Sequence, residues 1–371
     1  MKGTPQVKLQ RPGYAAGIAL TAALALAACG SDNNESPAAG GSAAPANCAS
    51  GTINAQGSSA QKNAMDEWIK AYQQQCPDVK INYEPSGSGA GIQAFIAGTA
   101  DFAGSDSALK EEEQPQADAK CPGGAAIHLP MVTGPIAVVY NVSGVDSLQL
   151  KPATIAGIFA GTITKWDAAE IKADNPGATL PSSTIQTVHR SDSSGTTDNF
   201  TNFLSKTAEA QWTFGKAKEW AAPGGTGAKG SDGVASAVKG ADGAIGYVEL
   251  SFAENAQLKM AKVGNGAGEF AELTAENAAK TVASAEITGK DADLKLAIDY
   301  NTKEAGAYPL VLVTYEIACS KGTPADKLAA VKGFLSYAAS TAGQAELAEL
   351  GYAPLAEEVR AKVEASVQTM S

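Results

Sequence analysis

An α/β fold divided into two domains is what this sequence predicts, and three observations carry the reading. Short apolar runs of strand character alternate with amphipathic helical patterns along nearly the whole chain. About 320 of the 371 residues follow a polar N-terminal stretch, which is large for one core and natural for two. A unit of strand, small polar turn and helix also occurs three times with the same design. No internal repeat is present.

The N-terminus comes first in the chain and fixes the compartment. Lys2, Lys8 and Arg11 precede an Ala-rich apolar run from Tyr14 to Ala28, too short for a comfortable membrane span. It ends in Leu26-Ala27-Ala28-Cys29 and turns polar at once, the pattern of a signal peptide over 1–28. A Cys directly after small residues resembles a bacterial lipobox, which implies lipidation of Cys29. Residues 30–47 are Ser, Gly, Pro, Asn and Ala with little to bury, and read as a flexible tether beginning at the lipidated Cys29 (29–47). Loss of the three leader cations takes the formal net charge from −11 to −14. Such a surface does not attract nucleic acid or anionic lipid, so an anionic ligand would have to be bound by local dipoles.

Four cysteines remain: Cys48, Cys76, Cys121 and Cys319. An even number in an exported chain suggests two disulfides, with three possible pairings. Cys48 precedes the first strand and Cys76 follows the first helix, so Cys48–Cys76 with Cys121–Cys319 is the preferred pairing. The cysteines form no close pair and the chain has only two histidines, so no metal site and no cofactor is implied.

The three units follow in order. Thr52 to Ala55 is a strand, Gly57-Ser58-Ser59 a turn, and Met65, Trp68, Ile69 and Tyr72 the apolar stripe of a helix. Val79 to Tyr83 alternates as a strand, Gly87 to Gly91 turns, and Ile92, Phe95 and Ile96 follow at helical spacing. Thr184 to Val188 is a strand, Ser191 to Thr196 a turn, and Phe200, Phe203 and Leu204 mark the next helix. Each turn offers hydroxyls and backbone N–H groups at a helix N-terminus, which carries roughly +0.5 charge and suits an anion. Ser, Asp and Gly are also ordinary caps, so the signal has force only if the turns converge. None matches the Gly-Lys-Ser/Thr nucleotide loop. Trp68 and Trp166 read as packing, His189 has no assigned role, and Glu111-Glu112-Glu113 reads as a solvated helix face.

Several stretches together resemble the phosphate-binding proteins of bacterial phosphate ABC importers: Gly87-Ser88-Gly89, Ala100 to Asp106, Gly161 to Asp167, Asn175-Pro176-Gly177, His189 to Thr196, and Gly240 to Glu249. The resemblance runs from about Thr52 to the C-terminus. It implies a two-lobed periplasmic-binding-protein fold of type II, with lobe I over 48–138 and 311–371, lobe II over 139–310, and two hinge crossings beside the cleft. It implies phosphate ligation by the Ser59 hydroxyl, the Ala60 amide, Ser88, Asp106, Arg190, Ser194, Gly195 and Thr196, with Asp192 orienting Arg190. The sequence departs from the family at Ser59-Ala60, where a Thr-Phe pair is common, and at Gly89, where some members have Ser. Delivery to permease subunits of an ABC importer, at the outer face of the membrane, is the implied role.

The chemistry agrees. A tetrahedral anion can be surrounded by hydroxyls and amides while an arginine supplies a two-pronged donor. An ionised Asp106 can only accept hydrogen bonds, which favours protonated phosphate over fully deprotonated sulfate or molybdate. An extracellular phosphatase would want a metal cluster or an activated nucleophile, and the sequence shows neither pattern. A structural or adhesive lipoprotein would bind no small anion.

Overall fold

The computed structural model describes residues 48–371. The leader, Cys29 and the tether lie outside the described residues. Among those described, no helix is long and apolar enough to cross a membrane.

The described chain opens with β1 (Gly51–Gly57), α1 (Lys62–Gln75), β2 (Val79–Glu84), α2 (Ser88–Ile96), β3 (Phe102–Ser105) and α3 (Gln114–Ala119), and leads into the long β4 (Ala126–Asn141). Next come β5 (Gln149–Leu150), α4 (Pro152–Phe159), α5 (Ala169–Asp174), β6 (Gln186–Arg190), α6 (Gly195–Thr207), β7 (Thr226–Ala228), α7 (Gly230–Gly240), β8 (Ala244–Glu249) and α8 (Leu250–Asn255). Short pieces follow: β9 (Lys259–Met260), β10 (Lys262–Gly264), β11 (Phe270–Ala271), α9 (Ala275–Ala283), β12 (Glu286–Ile287) and β13 (Leu296–Ala297). The chain returns through β14 (Val311–Cys319) and ends in α10 (Ala325–Ala339), α11 (Thr341–Ala348) and α12 (Glu357–Thr369). The third predicted strand is displaced: Thr184 makes only an isolated bridge to Lys165, and β6 begins at Gln186, where pairing to β8 starts.

The principal sheet runs β2-β1-β3-β14-β4-β8-β6-β7. β4 joins its two parts. Residues Ala126 to Pro135 pair antiparallel with β14, and Ile136 to Asn141 pair antiparallel with β8. The two crossings therefore lie side by side, tied by Ile136 N–H to the Leu310 carbonyl (2.9 Å) and by the Tyr308 hydroxyl to the Ile136 carbonyl (2.7 Å).

One core, with Trp68, Phe102, Leu129, Phe334 and Val363, lies between the first sheet face and α1 and α10–α12. The i, i+3, i+7 spacing of Met65, Trp68 and Tyr72 puts all three on the buried side of α1, and Trp68 donates to the Gly343 carbonyl at 2.7 Å. The larger core packs around α4, α6 and β8, with Phe159, Phe200 and Tyr247, and reaches Ile92 and Phe95 of α2. The 288–295 loop straps back onto β4. Leu294 buries in the first core, its N–H donates to the His128 carbonyl, and Asp293 accepts from His128 Nδ1 at 2.7 Å.

Cys48–Cys76 closes the first strand–helix unit, and Cys121–Cys319 ties the turn before β4 to the end of β14. Glu113 is not part of a solvated helix face. It is 9% exposed in the turn before α3, accepts from the Lys110 N–H at 2.8 Å, and pairs with the buried Lys218 at 3.1 Å. Burial of both partners removed Glu113 from the pattern that the run of three acids suggested.

Candidate functional site

The three polar turns meet at Asp106, which lies just beyond β3 and is 3% exposed. Its Oδ1 accepts from Ser58 Oγ at 2.5 Å and from Thr314 Oγ1 at 2.8 Å. Its Oδ2 has only long contacts, to Thr196 Oγ1 at 3.4 Å and Ser88 Oγ at 3.5 Å. The two oxygens thus differ: Oδ1 is satisfied, and Oδ2 keeps lone-pair capacity. Burial pushes the Asp106 carboxyl up, against the pull of Ser58, Thr314, Arg190 and Thr196.

Ser88 begins α2 and is fully buried, its Oγ accepting from the Asp106 N–H at 3.2 Å. Gly87 precedes it at φ +100°, and a Cβ there would lie 2.5 Å from Asp192 Oδ2. Only glycine combines that backbone with so close an approach. The Gly89 N–H donates to the Ser193 carbonyl at 3.0 Å, so the second turn touches the third.

Ser194 caps α6, accepting from the Thr197 N–H at 3.2 Å, and Gly195 and Thr196 form its first turn against Asp106. Arg190, at the end of β6, is 2% exposed. Its Nε and Nη2 donate to the two oxygens of Asp192 at 2.8 and 2.5 Å. Nη1 reaches Thr196 Oγ1 at 3.5 Å, the limit of a hydrogen bond, and so retains donor capacity toward the cleft. Burial pushes the Asp192 carboxyl up, but the Arg190 fork and the Gly230 N–H outweigh it and hold the group below the usual range. The pair is a buried fork, beyond an ordinary surface ion pair.

The first turn meets the start of α7. Ser59 Oγ faces Ser231 Oγ at 3.1 Å and accepts from the Ser231 N–H, while the Ala60 N–H donates to Ser58 Oγ at 3.0 Å. Three contributors were therefore missed. Ser58 adjoins Ser59 in one turn, and the sequence offers nothing to rank the two hydroxyls. Thr314 lies on β14, in the stretch Tyr308 to Thr314 that the family resemblance implies only as a hinge crossing. Gly230-Ser231, opening α7, has the same small polar composition as the other turns, so the same signal could have found it.

Conversely, Ser59, Ser88, Asp106, Arg190, Asp192, Ser194, Gly195 and Thr196 are all brought into one contact network. Among the described residues, no group of His, Cys, Asp and Glu could hold a metal ion. The arrangement presents hydroxyls, a buried guanidinium and helix N-termini around one acceptor oxygen. That combination suits a small oxyanion carrying a proton.

Two lobes joined by paired crossing strands, with a polar site where helix N-termini meet, define a solute-binding protein. A family model described as the PBP superfamily domain matches residues 42–342. The phosphate-binding protein PstS 3 of Mycobacterium tuberculosis is 41% identical, over 98% of this chain and 100% of its own. The phosphate-binding protein PstS of Xylella fastidiosa is 36% identical, over 77% of each. The chain belongs to the PBP superfamily and, within it, to the PstS family of phosphate-binding proteins. Solved structures agree in fold. A phosphate-binding protein from Stenotrophomonas maltophilia superposes with TM-score 0.67 at 22% identity, covering 85% of this chain and 94% of its own. A phosphate ABC transporter substrate-binding protein from Clostridium perfringens, solved with bound phosphate, gives 0.60 at 21% identity, covering 82% and 100%.

Proposed function

We propose that this protein binds inorganic phosphate outside the cytoplasm and delivers it to an ABC importer. The observation that carries the reading is the placement of Asp106 Oδ2 and Arg190 Nη1 on either side of Thr196 Oγ1 in one buried network. One is an acceptor and the other a donor, and neither has a short partner. Phosphate at neutral pH offers both what the acceptor and what the donor require, a proton-bearing oxygen and an anionic one. Sulfate offers only the second.

Ser59, Ala60, Ser88, Ser194, Gly195 and Thr196 complete the proposed ligand set, with the second lobe closing over the first. We assign residues 48–138 and 311–371 to lobe I and 139–310 to lobe II. Lipidation of Cys29 would hold the protein at the outer face of the membrane, beside the permease subunits it would serve. The relatives support a binding protein rather than an enzyme, since their names are those of phosphate-binding proteins.

Titration calorimetry with phosphate and sulfate tests the reading. Saturable 1:1 phosphate binding that sulfate does not displace is expected. Heat from sulfate alone, or from neither anion, would overturn it.

A further inference from the structure

Asp106 opens a stretch that no sheet ladder or helix holds in place. Residues Asp106 to Lys110 lie between β3 and α3, and side chains take their backbone N–H groups. The Asp106 N–H goes to Ser88 Oγ at 3.2 Å, that of Ser107 to Ser105 Oγ at 3.2 Å, and that of Lys110 to Glu113 Oε2 at 2.8 Å. The Leu109 N–H goes to Nε2 of His128, on β4, at 2.9 Å. Leu109 and His128 are both buried, so the amide depends on that nitrogen for its acceptor.

The other ring nitrogen is committed as well. His128 Nδ1 stands 2.7 Å from Asp293 Oδ1, and the same oxygen accepts from the His128 N–H at 2.9 Å. Burial pushes the Asp293 carboxyl up, but the His128 contacts and Lys295 outweigh it and hold the group below the usual range. Asp293 is therefore a carboxylate at neutral pH and can only accept, so Nδ1 must carry a proton. Nε2 must be bare, because it accepts from Leu109. The two contacts together admit one state of the ring, neutral with its proton on Nδ1. An imidazolium would set Nε2–H against the Leu109 N–H, two buried donors with no acceptor between them.

We propose that His128 is a positioning residue for the phosphate site: its neutral Nδ1–H form holds the Asp106 loop through the Leu109 N–H, and protonation releases that loop. The inference rests on the phosphate reading, because Asp106 is the acceptor which that reading requires. It also gives the 288–295 strap a part in ligand binding. Asp293 sets the tautomer, and the tautomer holds the loop.

The surroundings agree. Burial pushes the His128 ring down, with Asp293 opposing and Lys295 and Lys218 adding to the fall. Lys295 pairs with Asp293 Oδ2 at 3.2 Å. Lys218 comes from the loop after α6 and pairs with Glu113, the acid that takes the Lys110 N–H. From β14, Tyr315 meets the ring edge-on at 5.6 Å between centroids, and burial pushes its phenol up to about 12, so it stays neutral. The contribution of His128 is thus fully present above the ordinary histidine value of about 6.5, and is lost as the pH falls through the lowered value in the protein.

Two variants separate the two contacts of the ring. His128→Asn has a short amide that can donate to Asp293 but does not reach Leu109. His128→Gln carries its carbonyl oxygen about as far out as Nε2 and can accept there. At neutral pH, H128N is expected to lose phosphate affinity by about tenfold in calorimetry, with H128Q recovering to within about threefold of wild type. Between about pH 6.5 and 5, wild type should lose affinity more steeply than H128Q, since phosphate and Asp106 titrate in both proteins and residue 128 in only one. Ring 15N shifts of labelled wild type, assigned by the loss of one of the two histidine signals in H128N, should show Nδ1 protonated and Nε2 bare. A proton on Nε2 at neutral pH, an unchanged affinity in H128N, an H128Q no better than H128N, or an acid fall that H128Q shares in full overturns the proposal. If H128N does not fold, the wild-type tautomer and the pH comparison with H128Q decide it. Absence of phosphate binding by wild type at neutral pH would instead fail the functional reading, and the 15N tautomer would still decide whether His128 holds Leu109.

Discussion

Gly195, at the first turn of α6, lies against Asp106, which we assign to the other lobe, so closely that a Cβ would stand 2.6 Å from the Asp106 Cβ. The same Cβ would stand 2.6 Å from Ser88 Oγ. Its φ is not in the left-handed region. The position therefore needs glycine for space alone, and only when the lobes are together. Inter-lobe approach, ligand access and residue size are coupled at this point.

Gly195→Ala should therefore leave each lobe folded and oppose closure. Phosphate affinity is expected to fall more than about tenfold, since the neighbouring contacts are backbone and short side chains with little room to yield. The melting temperature without ligand should stay near that of wild type. Small-angle scattering checks the mechanism: with saturating phosphate the variant should keep a larger radius of gyration than wild type. A compact, tightly binding variant would show that the approach has slack.

Arg190 offers a second test, because its Nε and Nη2 are committed to Asp192 while Nη1 is turned to the cleft. Arg190→Ala removes a charged donor worth about 1.5–3 kcal/mol, so affinity should drop roughly 10- to 100-fold by calorimetry. Arg190→Lys should recover only part of this, since an ammonium cannot hold both Asp192 oxygens and still present a donor to the anion. Full recovery by lysine would mean that charge alone matters.

Lys218 and Glu113 form a buried pair between the loop after α6 and the turn before α3, at 3.1 Å. Breaking such a pair from one side costs about 3–5 kcal/mol where the remaining charge stays buried. Opening the lobes would let Glu113 regain water. Lys218→Met should therefore act on closure rather than folding, and stopped-flow release of phosphate should be faster by an order of magnitude or more. An unchanged release rate with a lowered melting temperature would mark the pair as purely structural.

Much of the site was legible because its parts are local. Ser88 and Ser194 to Thr196 sit at small polar turns between a strand and a helix, which composition marks, whereas Arg190 closes the strand before the last of them and stood out through the family resemblance. Their convergence was not legible from any one turn; it depends on Gly87, Gly89 and Gly195 admitting neighbours from the opposite lobe. Thr314 escaped because it lies on an otherwise apolar buried strand, where alternation no longer separates a functional face from a packing face. Glu113 escaped for the opposite reason: its acidic neighbours looked solvated, and its partner stands 105 residues away. The strand–helix units were readable from periodicity, yet the strand expected over 184–188 shifted because the edge of β8 sets where pairing begins.

Asp106 selects between anions through the proton that phosphate carries and sulfate lacks. As a carboxylate, its Oδ2 can accept the proton of phosphate but can only repel a sulfate oxygen. The selection is thus a penalty against the wrong ligand rather than extra attraction for the right one. Burial raises the Asp106 carboxyl, so it protonates at a higher pH than an exposed aspartate as the solution is acidified. Once protonated it can donate to sulfate, and the penalty disappears. Wild-type preference for phosphate over sulfate should therefore be widest near neutral pH and narrow on acidification. Asp106→Asn carries a donor at every pH, so its preference should be narrow throughout and nearly independent of pH. Competition calorimetry on folded samples from acid to neutral pH makes the comparison. If D106N kept the wild-type preference at neutral pH, selectivity would have to arise from the hydroxyl and amide donors around the anion, and Asp106 would be left as the anchor for Ser58 and Thr314 alone.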